Sequence, residues 1–576
     1  MPALTTRAIL LGALVLLALG ITAAVLLLAN FTGTEPRDRL DAVRTAATLL
    51  VGTGGGAALL LAARRQRAAE LSLAVQRMAA TDTAHDAAAR RITELYLKAV
   101  EQLGSDKAAV RHGGLYALER VAQDNPDQRQ TVINVICAYL RSPYTSPPKQ
   151  PATRPTGLSA AARRSTAAGR VAARTAAAHR ISLTSPPPVV ASEQSQQERE
   201  VRLTAQRILT NHLCPSSDPT AEQTDQPQYW GEDYDLDLTG ATLVDFDALG
   251  LTVRQATFTN AHFVRHARFD RATFTRTARF DEATFTGDAE FDEVTFARTA
   301  GFAGAIFNGN AGFAGVTFAR TAGFTGAIFN GNAGFAGVTF ARTAGFTETT
   351  FTGEAWFGGA TFTGDAGFGG ATFRGAAWFV GATFSRAAAF GGATFIVDAW
   401  FDEVTFSGDA GFGRAAFAGD VGFSGATFAR DARFNKATFA HDAGFIGVIF
   451  TGNAEFEEVT FARTAGVAGV TFTGDARFDQ ATFTGNARFD KATFNGKARF
   501  NEATFIDTAS FRRATFTGSV WFNEATFTHN AVMTDALTKA EVGESCVWPP
   551  GWTRSGLSLV ERPRRAADSS ATRNST

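Results

Sequence analysis

Side chains able to do chemistry are few in this 576-residue chain, and they are dispersed. Of its eight histidines only His262 and His266 lie close together, in a stretch where a spacing of four has no helical meaning. Two imidazoles without further donors do not make a metal site. Cys137, Cys214 and Cys546 are odd in number, far apart and match no metal spacing; free thiols suit a reducing cytoplasm. Neither a G-x-S-x-G elbow nor a Cys–His constellation is present. The run Gly52-Thr53-Gly54-Gly55-Gly56 suggests a phosphate loop by composition, but no Lys follows it and it sits inside an apolar segment, where tight helix packing is the better account. No catalytic, cofactor-binding or metal-ligating residue is therefore assigned, and no enzyme is expected. One group stands above this background. Trp356, Trp378 and Trp400 recur at one constant interval, and each directly precedes a Phe.

What positions those indoles is a grid of phenylalanines. Of the 51 Phe in the chain, all but Phe31 and Phe246 fall between Phe258 and Phe527 at gaps that alternate five and six, an eleven-residue repeat. Ala278-Arg279-Phe280-Asp281-Glu282-Ala283-Thr284-Phe285-Thr286-Gly287-Asp288 is a typical unit, and an Ala, Val or rarely Thr stands two residues before nearly every Phe. Gaps of five and six match neither the period of a helix nor that of a flat strand. They fit a coil of short strands in which the small residue and the Phe point inward and the residue between them points out. Gly-Asp and Gly-Asn pairs such as Gly287-Asp288 and Gly309-Asn310 are expected to turn the six-residue corners through positive φ, and pairs such as Asp281-Glu282 or Gly358-Gly359 the five-residue ones.

The pattern resembles the pentapeptide-repeat proteins, whose A-[DN]-L-x-x units imply a square, right-handed β-helix. Residues 301–322 and 323–344 are identical except at Ala303 and Thr325. A tandem duplication is tolerated when it inserts a whole turn, so the coil should hold about 22 residues on four sides, with about 12 coils between Phe258 and Phe527 and a rod about 55 to 60 Å long. Right-handedness follows from the crossover rule for parallel strands. Ahead of the grid, Leu238, Leu243, Ala248, Val253 and Phe258 are strictly five apart, and at Val467 the grid lapses, which predicts a small void. A coil of that length would stack the three Trp on one outer face, either as a self-stabilising aromatic ladder or as a strip on which a partner docks.

Upstream, residues 8–31 and 45–63 carry no charge and are long enough to span a bilayer; Arg64, Arg65 and Arg67 after the second favour a hairpin with both termini cytoplasmic. Residues 66–141 show helical stripes, Leu71, Val75 and Met78, then Ile92, Leu95, Ala99 and Leu103. Ser105 or Asp106 is the expected cap of the next helix, and Pro126 opens a third. The stretch around Gly113-Gly114-Leu115-Tyr116 is similar to the HEAT-like module of membrane-anchored bacterial pentapeptide proteins, and the tail Trp548-Pro549-Pro550-Gly551-Trp552 to theirs. Residues 142–192 hold eight Pro, seven Lys or Arg and no acid, the composition of a basic linker.

The expected organisation is a transmembrane hairpin at 1–67, a helical HEAT-like module at 68–141, a basic linker at 142–195, a helix and lead-in at 196–235, the β-helix at 236–532, and a C-terminal cap and tail at 533–576. The function expected from it is a multi-pass membrane scaffold or protein-interaction module, with the repeat domain on the cytoplasmic side, no cofactor, and a protein partner that the sequence does not name. The resemblance also raises gyrase protection by DNA mimicry, which needs dense acidity. Residues 256–530 carry 26 acids and 22 bases, and residues 301–400 only four of each, so nucleic-acid mimicry is disfavoured.

Overall fold

Two inward side chains in every five or six residues leave room for only a two-residue strand before each bend. The chain folds accordingly in the computed structural model, with strands such as Ala278–Arg279 and Thr284–Phe285 recurring along the whole repeat region. The structure describes residues 6–30, 36–145, 189–215, 229–529, 531–539 and 546–561. They fall into two compact units, Met1–Leu97 and Lys98–Thr576.

Each strand pairs in parallel with its counterpart one turn on, Ala300 with Ala322 and Phe307 with Phe329. The pairings build sheets of 14, 16 and 25 strands, the last combining two adjacent sides of the coil. The 14-stranded sheet counts the turns. There are about 14 rather than 12, because coiling already begins at Asp235. The strict pentapeptides of the lead-in make a shorter first turn, Asp235 pairing with Gln255 and Thr242 with His262, and the longer period of the grid is established from Ala256 with Ala278. The change is accommodated by a register shift between Val244 and Phe246.

Inside, each Phe of the grid stacks on its counterpart one turn away and meets a facing column edge-on. Phe280 lies 4.9 Å from Phe302 at 3°, and 5.4 Å from Phe291 at 90°. Both geometries are favourable for rings carrying a negative face and a positive edge. Thr349, which takes an Ala position and is fully buried, donates its hydroxyl to the carbonyl of Phe324.

The corners differ from expectation in an instructive way. Positive φ belongs to the five-residue corners, at Glu282, Gly304, Glu348 and Gly359, and not to the Gly of the six-residue corners. Those glycines answer a different demand: a Cβ on Gly309 would lie 2.4 Å from the carbonyl carbon of Gly287 one turn below. Corner acids do more than face solvent. Asp288 accepts the backbone N–H of Asn310, Asn310 that of Asn332 and Asn332 that of Glu354, each one turn on, and the Asp398–Asp420–Asp442 series repeats the ladder. Charged residues in the strained corners pair along the axis, as Arg271 with Glu293 and Lys436 with Glu458.

The helices are α1 (Thr6–Asn30), α2 (Pro36–Leu103), α3 (Ala108–Asp124), α4 (Arg129–Arg141) and α5 (Val189–Leu213). The segment 45–63 and the helix expected after it are one continuous element. α3 starts after Lys107 with no side-chain cap; Ser105 accepts the Lys107 N–H instead. Pro126 opens a short 3-10 turn before α4. Gly114 of α3 presses on the end of α2, where a Cβ would lie 2.8 Å from the carbonyl oxygen of Ala99.

α4 and α5 cap the first turn of the rod, with α3 packed against both. The carboxamide of Gln206 pairs with both backbone groups of Val244, and that of Gln130 with both of Asp235. Arg202, buried to 1% exposure, donates to Glu198 and to the carbonyls of Leu140 and Ser142 and lies over the Tyr144 ring. The two ends of the basic linker are thereby held together, so it leaves and re-enters one body; its residues 146–188 lie outside the described residues. At the far end, Trp552–Ser555 and Ser558–Glu561 form an antiparallel hairpin against Leu537–Thr538, and Trp548 sets its edge on Phe516 at 5.6 Å. The tail 562–576 also lies outside.

In the first unit, α1 and α2 pack through small residues. A Cβ on Gly20 would lie 2.7 Å from Thr53 Oγ1, and Ala24, Ala42 and Ala46 are also buried, whereas Gly52, Gly54, Gly55 and Gly56 have open space. The close approach expected of the glycine run is thus made by Gly20. Leu10–Asn30 has the length and apolarity of a membrane span.

Candidate docking surface

On each side of the coil one residue per strand points outward, and stacking turns these into columns. Two columns are mostly Thr. A third reads Gly312, Gly334, Trp356, Trp378, Trp400, Gly422, Gly444, Gly466, set in register by the strand pairings. The three indoles share one face as the period of the coil requires, standing on a strip otherwise bare of side chains. Trp356 and Trp378 are 41% and 36% exposed, and Trp400 is half-buried.

Trp378 and Trp400 stack, with centroids 6.0 Å apart at 25°. Trp400 reaches over the next turn, so a Cβ on Gly422 would lie 2.7 Å from its ring. The faces of Trp378 and Trp400 are therefore turned along the rod and their edges toward solvent, which leaves apolar surface. Val380, Ile396 and Val397 on the neighbouring corners are exposed and widen it. Glu354, Asp398, Asp402 and Glu403 rim it with negative charge against Arg374 alone.

The family model described as pentapeptide repeats (9 copies) matches residues 280–328, 324–372, 368–416, 401–449, 445–493 and 489–537. The rod is a pentapeptide-repeat domain. Comparison with curated proteins and with solved structures finds no match.

Elsewhere on the pentapeptide-repeat domain the sequence candidates stay apart. His262 and His266 are exposed on one bent strand, His266 lying 3.5 Å from Glu290, and no group of His, Cys, Asp and Glu able to hold a metal occurs among the described residues. Burial pushes the Cys137 and Cys214 thiols up to about 12, so both are protonated and unreactive at neutral pH. Sequence reasoning missed the aliphatic rim of the Trp strip. Its signal was available: Val380, Ile396 and Val397 occupy corner positions that mostly carry Gly, Ala or polar residues, Ile446 and Ile506 being other exceptions.

Proposed function

We propose that the protein is a non-enzymatic scaffold, anchored in the cell membrane by the α1–α2 hairpin, that presents its pentapeptide-repeat domain on the cytoplasmic side to a protein partner. The observation that carries this reading is the Trp356–Trp378–Trp400 strip with its apolar corners, because exposed large apolar side chains gathered into one contiguous patch mark an interaction site, whereas singly exposed ones such as Ile446 and Ile506 do not. The acidic rim suits a partner with apolar anchors flanked by basic residues and opposes an anionic lipid surface. The exposed leucines of α1 and the small-residue contact at Gly20 support the anchor.

Proximity labelling from the intact protein in its native membrane should mark a defined set of neighbours that is lost in the Trp356→Ala, Trp378→Ala, Trp400→Ala triple variant. Unchanged labelling would reduce the strip to a structural ladder. DNA mimicry remains the competing reading; protection of gyrase in a supercoiling assay would establish it against the near-neutral charge of the rod.

A further inference from the structure

The column of indoles runs without interruption into a column of glycines. Trp356, Trp378 and Trp400 occupy three successive turns, and Gly422, Gly444 and Gly466 the next three on the same face. The rod itself does not require the last two glycines. Neither has positive φ, and a Cβ on Gly444 or Gly466 would come no nearer than 3.6 Å to the turn below. Three large side chains beside three turns bare of them make a surface that complements its own reverse.

We infer that the partner of the Trp strip is a second copy of this chain, packed antiparallel on this face about a two-fold axis between Trp400 and Gly422, a reading that rests on the docking role proposed above. In that register Trp356 lies on Gly466 of the other copy and Trp378 on Gly444, each contact occurring twice. At the axis the two Trp400 rings, each already laid across its own Gly422, meet one another. Beyond the strip, Arg488 comes over the bare Gly334. The corners agree with this register independently. A two-fold axis crossing both rods keeps each corner column on its own side, so Glu354 comes opposite Arg463, Arg374 opposite Asp442, and Val380 opposite Ile446. Ile446, 58% exposed and isolated on its own rod, thereby gains an apolar neighbour. Glu354, Arg374, Asp442 and Arg463 form no ion pair among the described residues. Asp398, Asp402, Glu403 and Asp420 gather near the axis without a base across from them, at the solvated edge where salt screens like charges.

The test uses full-length copies with two different tags, co-expressed in a Cys546→Ser background and oxidised in native membranes. Val380→Cys on one copy with Ile446→Cys on the other should give a reducible mixed-tag band of twice the chain mass. It should be about ten-fold stronger than Val380→Cys with itself or Ile446→Cys with itself, because the two-fold sets like positions three turns apart. Glu354→Arg and Arg463→Glu should each weaken the mixed band, and a chain carrying both exchanges should restore it, which a folding defect would not do. A chain carrying both cysteines should stop at the dimer; a ladder of higher masses would mean an open head-to-tail contact and overturn the two-fold. Equal bands in all three cysteine pairings would mean collision only, again overturning it. No mixed band while proximity labelling still depends on the three Trp would overturn the self-pairing and keep the docking role; loss of both would overturn both.

Discussion

The carboxamide of Gln206 on α5 makes two 2.9 Å hydrogen bonds to the backbone of Val244, donating to its carbonyl and accepting from its N–H, as a neighbouring strand would. Gln130 treats Asp235 in the same way from α4. A parallel stack ends in unpaired backbone groups that invite another chain to add on. Two glutamines close that edge without adding a strand.

Replacing Gln206 by Leu keeps the packing volume but orphans two backbone groups of a residue 1% exposed. We expect a loss of about 1 to 3 kcal/mol, measured by thermal or denaturant unfolding of the detergent-solubilised protein. Unchanged stability would show that the contact is packing alone.

Glu348 sits at φ 58° in a corner where Gly359, on the next five-residue corner, adopts φ 64° without strain. No ion pair involving Glu348 occurs among the described residues. Glu348→Gly should therefore stabilise the rod by about 1 kcal/mol, an unusual direction for a substitution to glycine. The melting temperature of the variant decides it, and a fall would mean the corner is relaxed.

Gly309→Ala should act oppositely. Its added methyl would meet the Gly287 backbone, which cannot yield without parting the stacked turns. A loss of about 1 to 3 kcal/mol is expected, whereas Gly323→Ala, where the same methyl meets open space, should be near neutral. Equal effects at the two sites would remove the close-approach argument.

Val467 interrupts a column in which Phe423 and Phe445 stack at 5.0 Å and Phe489 and Phe511 at 4.8 Å, yet its N–H still bonds the Arg488 carbonyl at 2.8 Å. The backbone keeps its register, so Val467→Phe should restore the column and raise stability by about 0.5 to 2 kcal/mol. A lower melting temperature would show that neighbouring rings have already filled the space.

Much of this was legible in the residues, and the reason is the repeat. When inward positions recur at gaps of five and six, one duplicated block sets the turn length, and the turn length aligns Trp356, Trp378 and Trp400 without any knowledge of coordinates. The corners were misjudged because one residue type serves two physical demands. Glycine relieves positive φ at Gly359 but relieves contact with the turn below at Gly309, and only the stacking distinguishes them. The aspartate ladder was hidden for the same reason: Asp288 and Asn310 stand a whole turn apart, and a hydrogen bond between their turns leaves no trace in either local sequence.

The sequence by itself determined the coil, its period and its phenylalanine core, because inward-facing positions repeat at a spacing that only one kind of winding satisfies. The tertiary structure alone decided how the coil begins and ends. Repeats specify their neighbours and nothing about a terminus, so the closure of the first turn by Gln206 and Gln130 and the clasp of Arg202 across the linker came from contacts between segments that share no pattern.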